Sequence, residues 1–123
     1  RFANVLKADG LVRGDRVAVF LSQSLELPIA HMAAFRSGMV SIPLFALFGE
    51  DALEFRLSNS GARAIVTDET GWEKLKKIRD RLPDLKNIYV NVKAEMLDEA
   101  LQKLVAQSVV KQHSFGGLAY YSL

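Results

Sequence analysis

The chain has 123 residues, 50% hydrophobic and 24% charged, a balance that supports a packed domain and excludes a disordered segment. Its formal net charge of +2 is mild, far from the gathered Lys and Arg of a nucleic-acid-binding surface, so no nucleic acid is expected as a partner. It contains no cysteine, which excludes disulfides and thiolate metal sites and fits a cytoplasmic location, and no apolar run reaches the ~18 residues of a transmembrane segment.

The chain opens on Arg1, without methionine, inside an apparent helix, and is expected to be a piece of something longer. Val5 to Ala8 reads as the last turns of that helix, closed at Gly10. Asp15 to Leu21 is β-branched and apolar, the signature of a buried strand. Ser22, Gln23 and Ser24 offer caps for a helix running to about Ser37 and closed by Gly38, with Pro28 in its first turn. That helix is apolar nearly all round, which predicts burial on more than one side. A short strand, Met39 to Ile42, leads into the loop Pro43 to Gly49.

Glu50 and Asp51 then open a helix where the macrodipole favours acids, with Leu53 and Leu57 sharing its buried face. Gly61 closes it in the left-handed conformation, and a strand from Ala62 to Val66 stops at Thr67-Asp68. Glu69 to Leu82 is an amphipathic helix with Trp72, Leu75, Ile78 and Leu82 on one stripe, ended by Pro83. Asn87 to Asn91 reads as a strand and Ala94 to Ala106 as a helix. The last stretch, Lys111 to Leu123, breaks the rhythm and reads as a linker toward an incomplete strand. Helix and strand alternate, with connections too long for hairpins. The expectation is an α/β layered domain with a mostly parallel sheet flanked by helices.

The missing motifs narrow the chemistry. Neither GxxxxGK[ST] nor GxGxxG occurs, so neither common glycine-rich phosphate cradle can form. His31 and His113 lie far apart in sequence and outside any metal-ligand spacing, so no metal site is expected. Asp68 and Glu69 sit at a strand end, a suitable address for catalysis, yet a helix N-cap role also accounts for Asp68. Lys74, Lys76, Lys77, Arg79 and Arg81 surround one helix. They read as a solvated face interleaved with Glu73 and Asp80, or as a phosphate-binding face. A receiver domain needs an acidic pair after its first strand and a flavodoxin a hydroxyl- and glycine-rich loop there. Ser22 to Leu27 supplies neither.

One ordered series remains. Gly14-Asp15-Arg16-Val17 leads into a strand, a buried helix ends at Gly38, and Pro43-Leu44 follows the next strand. An acidic helix start comes next, then Arg56-Leu57, and Ser60-Gly61-Ala62 leads into a strand ending at Thr67-Asp68. Over residues 1 to 91 this series resembles the amino-terminal region of AMP-forming acyl-CoA synthetases, members of the adenylate-forming superfamily. The loop "PLFALFG" leans toward the acetyl and medium-chain branch.

The resemblance implies that residues 1–91 form the amino-terminal α/β subdomain, and 92–123 a helix and linker toward the phosphate loop. The parent would use ATP and Mg²⁺ to turn a carboxylic acid into an acyl-adenylate and pass the acyl group to CoA. The family's phosphate loop, its Tyr-Gly-x-Thr-Glu stretch, its ribose-binding aspartate and its carboxy-terminal lysine have no counterpart here, so no catalytic residue is assigned and the chain alone is expected to be inactive. The resemblance places Phe45, Ala46 and Leu47 near CoA and aligns Lys76 with a basic residue facing the CoA 3′-phosphate. Glu73 replaces a second basic residue, and Ala46 and Leu47 replace glycines. Partners would be the remainder of the ligase chain or, with apolar patches uncovered, a second copy of this one. The alternative is a non-catalytic scaffold or interaction domain of the same fold.

Overall fold

The computed structural model describes residues 2–21, 26–92, 111–115 and 118–122. Helix α1 (Phe2–Ala8) leads to strand β1 (Arg16–Phe20), helix α2 (Glu26–Arg36) and strand β2 (Val40–Pro43). Helix α3 (Glu50–Ser60), strand β3 (Ala64–Asp68) and helix α4 (Glu69–Ile78) follow, α4 running on into a 3₁₀ turn at Arg79–Arg81. Strands β4 (Asn87–Val92), β5 (Lys111–Phe115) and β6 (Leu118–Ser122) complete one sheet ordered β2-β1-β3-β4-β6-β5.

The first four strands are parallel, with Val17 opposite both Ser41 and Ala64, and Ile65 opposite Ile88. This is the mostly parallel α/β sheet that alternating helices and strands predict. β6 runs antiparallel to β4 and to β5, with Phe115 opposite Leu118. The tail read as a linker is therefore a pair of strands. A two-residue Gly-Gly separation between short runs with aromatics is a hairpin signal, and the same small residues also suit a linker. Strand β3 also sits two residues later than expected, ending on Asp68 rather than Val66. The helix expected over 94–106 and the caps expected at 22–24 lie outside the described residues.

The period-two alternation of each strand divides the core. Ala18, Phe20, Ile65, Ile88 and Val90 face one side, where Leu53 and Leu57 of α3 and Trp72, Leu75 and Ile78 of α4 cover them. Val17, Val19, Val66 and Tyr89 face the other, against Phe2 and Leu6 of α1 and Ala30 and Ala34 of α2. Tyr89 is also pinned: its hydroxyl donates to Asp9 Oδ2 at 2.7 Å, and its ring meets Phe2 edge-on at 5.3 Å. Gly61, at φ 65°, ends α3 in the left-handed region, and the N–H of Ala62 reaches back to the carbonyl of Leu57.

Helix α2 departs from expectation. Ala30, Ala33 and Ala34 are buried, but Met32 and Phe35 remain 64% and 59% exposed. The sheet and α1 cover only one side of this largely apolar helix, and among the described residues nothing covers Met32 and Phe35 on the other.

Candidate functional site at the carboxyl edge of the sheet

The strand order reverses direction at β1: the chain passes from β1 to β2 on one side, then to β3 on the other. In open α/β sheets the carboxyl ends of the strands flanking such a reversal form the usual ligand crevice. Here that edge is built from the ends of β1 and β3, the start of α4 and the loop after β2.

The β1–β3 end is tightly joined. Thr67, wholly buried, donates its hydroxyl to the Phe20 carbonyl at 2.8 Å. The next residue, Asp68, caps α4 by accepting the Gly71 N–H at 2.9 Å. Of the two sequence readings of Asp68, the cap is the one the geometry displays. Gly71 is required for this close approach, because a Cβ placed there would lie 1.8 Å from Thr67 Oγ1 and 2.9 Å from the Phe20 ring.

The loop after β2 is organised around its carbonyls. Leu44 N–H extends the β1 pairing to Val19 O, and Phe48 N–H closes a turn on Phe45 O at 3.0 Å. Lys74, from α4, donates to Ala46 O at 3.2 Å and to Phe48 O at 3.0 Å, and its ammonium lies 5.6 Å from the Phe20 ring centre. The Phe48 ring meets Phe45 edge-on at 5.5 Å and carries the Arg56 guanidinium 4.8 Å from its centre. A largely apolar groove of about 700 Å³ lies between this loop and α2, with Leu21, Leu27, His31, Phe45 and Leu47 among its walls. His31 Nδ1 shares a hydrogen bond with the Ser41 hydroxyl, and the ring stacks on Phe35 at 6.4 Å. Burial pulls its pKa below the ordinary 6.5.

The three loop residues singled out from sequence stand together in this turn, Phe45 and Leu47 exposed at 76% and 94% and Ala46 half-buried. Lys76 does not join them through any described contact. It pairs with Glu73 on its own helix at 2.5 Å. Lys77 and Arg81 reach back to α3, to Glu50 at 3.1 Å and Glu54 at 2.9 Å. The basic face of α4 is thus largely an interleaved ionic surface, with partners on α3 that the sequence does not announce. Lys74 was submerged in that cluster, yet it is the lysine that touches the loop. Its spacing carried a signal: positions 71, 74, 75 and 78 share the inner face of a helix. Among the described residues no group of three or more His, Asp or Glu could hold a metal ion, and no helix is long and apolar enough to cross a membrane.

The sequence matches the AMP-binding enzyme family over residues 1–116. It is 43% identical over 72 residues to the acetyl-coenzyme A synthetase of Drosophila melanogaster, covering 58% of this chain and 11% of that protein. It is 38% identical over 91 residues to the acetyl-coenzyme A synthetase of Bacillus subtilis (strain 168), covering 73% of this chain and 16% of that one. The fold superposes on the crystal structure of a Brucella canis acyl-CoA synthetase with a TM-score of 0.67 and 30% identity, over 75% of this chain and 16% of the other. The chain therefore spans only 11–16% of the length of these relatives.

Proposed function

Since the chain belongs to the AMP-binding enzyme family, we propose that it is the amino-terminal α/β part of a cytoplasmic AMP-forming acyl-CoA synthetase, nearest the acetyl and medium-chain branch. The observation that carries this reading is the 43% identity to an acetyl-coenzyme A synthetase over 72 residues, 58% of this chain. The whole enzyme would join a carboxylate to AMP, releasing pyrophosphate from ATP, and then transfer the acyl group to the sulfur of CoA.

The described residues fit only part of that work. Among them no group of three or more His, Asp or Glu could hold Mg²⁺, and Asp68 is engaged as a helix cap. ATP and Mg²⁺ would be held by the rest of the enzyme, and this segment alone forms no acyl-adenylate. CoA fits better, because the exposed turn at Phe45, Ala46 and Leu47 meets one cation of α4, Lys74, at this edge. Lys76 would face the CoA 3′-phosphate, its charge partly offset by Glu73.

The test is a titration of the complete enzyme with CoA and with dephospho-CoA. Lys76→Ala should weaken CoA binding by about 1–2 kcal/mol, the scale of a partly exposed charge-assisted hydrogen bond. Glu73→Gln should strengthen it, and dephospho-CoA should respond to neither change. Equal responses of the two ligands would return Lys76 to plain surface.

A second reading, a non-catalytic interaction domain of the same fold, is favoured by the exposed Met32, Phe35, Phe55 and Leu47. In either reading these side chains would drive self-association of the isolated segment. A phosphate loop encoded directly after Leu123 supports the enzyme, and a stop codon supports the interaction domain.

A further inference from the structure

A turn with exposed apolar side chains has little to hold it. Phe45 and Leu47 are exposed, and one backbone hydrogen bond, from Phe48 N–H to Phe45 O, closes the turn. Its ends are anchored by Leu44, which bonds to Val19 O, and by Phe48, which packs on the core under Arg56, while the side chain that grips the turn's own carbonyls is the half-buried Lys74, which donates to Ala46 O at 3.2 Å and to Phe48 O at 3.0 Å. Lys74 is itself held in place. It stands one turn beyond Gly71, which lies against Thr67, and Thr67 is bonded to Phe20 at the end of β1. The loop is thereby referenced to the β1–β3 strand ends through α4. Among the described residues the N–H groups of Ala46 and Leu47 have no acceptor, and the Leu47 N–H points opposite to the Ala46 carbonyl that Lys74 holds.

We propose that Lys74 is the positioning residue of this turn, turning the Ala46 and Phe48 carbonyls toward α4 so that the Leu47 N–H, which shares a peptide plane with the Ala46 carbonyl, is held facing away from α4 and ready for an acceptor group of CoA. This rests on the ligase reading above. Binding at a prearranged turn avoids the ordering cost a loose one would incur on each association.

Lys74→Met keeps the aliphatic stem over Phe20 and removes the donor. In the complete enzyme it should raise KM for CoA about tenfold, the scale of two lost charge-assisted bonds that are partly exposed, while KM for ATP moves less than about twofold. Lys74→Arg, which keeps a cationic donor, should restore most of the loss. Independently of any substrate, the Phe48 amide should exchange its hydrogen about tenfold faster in Lys74→Met, with the amides of β1 and β3 unchanged. Unaltered Phe48 exchange would overturn the clamp. Faster exchange with an unchanged KM for CoA would overturn its role toward CoA. Parallel rises in both KM values with no rescue by arginine would reduce Lys74 to a structural contact. If the unsubstituted enzyme shows no acid-dependent pyrophosphate exchange, the ligase reading fails and the CoA role with it, and the Phe48 measurement still decides the clamp by itself.

Discussion

Replacing Gly71 with alanine puts one methyl group where the structure has no room. The new Cβ would stand 1.8 Å from Thr67 Oγ1, roughly 1.5 Å inside van der Waals separation, and 2.9 Å from the Phe20 ring. Two escapes exist. Thr67 can rotate, which breaks its 2.8 Å bond to the Phe20 carbonyl in a wholly buried place and costs about 1–3 kcal/mol. Alternatively α4 can lift from the sheet, loosening Trp72, Leu75 and Ile78 at an overpacking cost of about 1–3 kcal/mol. Sharing the strain between the two gives an expected loss of about 2 kcal/mol. Urea unfolding should show this as a midpoint about 1 M lower at an unchanged m of ~2 kcal/mol/M. Thr67→Ala removes the oxygen that the methyl would strike, so the double variant should be less destabilised than the sum of the singles by about 1–2 kcal/mol. Additive singles, or a Gly71→Ala loss below about 0.5 kcal/mol, would refute the claim that this helix start is locked to the strand ends by contact.

Tyr89→Phe keeps the ring against Phe2 and removes the bond to Asp9, so denaturant unfolding should register a loss of about 1–2 kcal/mol; no loss would mean the pin between α1 and β4 is idle. Asp68→Ala should cost about 1 kcal/mol through the lost α4 cap, with Asp68→Asn recovering most of it; equal losses would point to a role for the charge. His31 has its pKa lowered by burial, so the folded chain binds its proton less readily than the unfolded one. Its contribution to stability is fully present above pH 6.5 and falls away as the pH drops from there through the lowered folded value. His31→Asn should remove that slope, and identical pH profiles of the two proteins between pH 7.5 and 5 would contradict the assignment.

The helices and parallel strands were legible because each combines a hydrophobic period with a terminator. Leu53 and Leu57 lie buried on α3, which Gly61 closes, and Trp72, Leu75, Ile78 and Leu82 are all buried below Pro83. The strands at 111–115 and 118–122 were read as a linker: the Gly-Gly between them is a local hairpin signal, but the pairing of β6 with β4 is a long-range event that no local period records. The exposure of Met32 and Phe35 was hidden for the same reason: a pattern says a side chain is apolar, and only the tertiary arrangement says whether something covers it. At the site, the loop residues 45–47 were found through the family resemblance. Lys74 was missed because its partners are backbone carbonyls, which leave no mark in a sequence, whereas the neighbouring charges drew attention to themselves.

The central claim, that this chain is scaffold for an acid–CoA ligase whose chemistry is housed elsewhere, is tested most directly by pyrophosphate exchange. The protein encoded by the complete reading frame and the 123-residue chain alone would each be given ATP, Mg²⁺ and a panel of short and medium carboxylic acids. The complete protein should catalyse acid-dependent exchange of labelled pyrophosphate into ATP and form a thioester when CoA is added, and the chain alone should do neither. Exchange by the isolated chain, or none by the complete protein with any acid, would contradict the account.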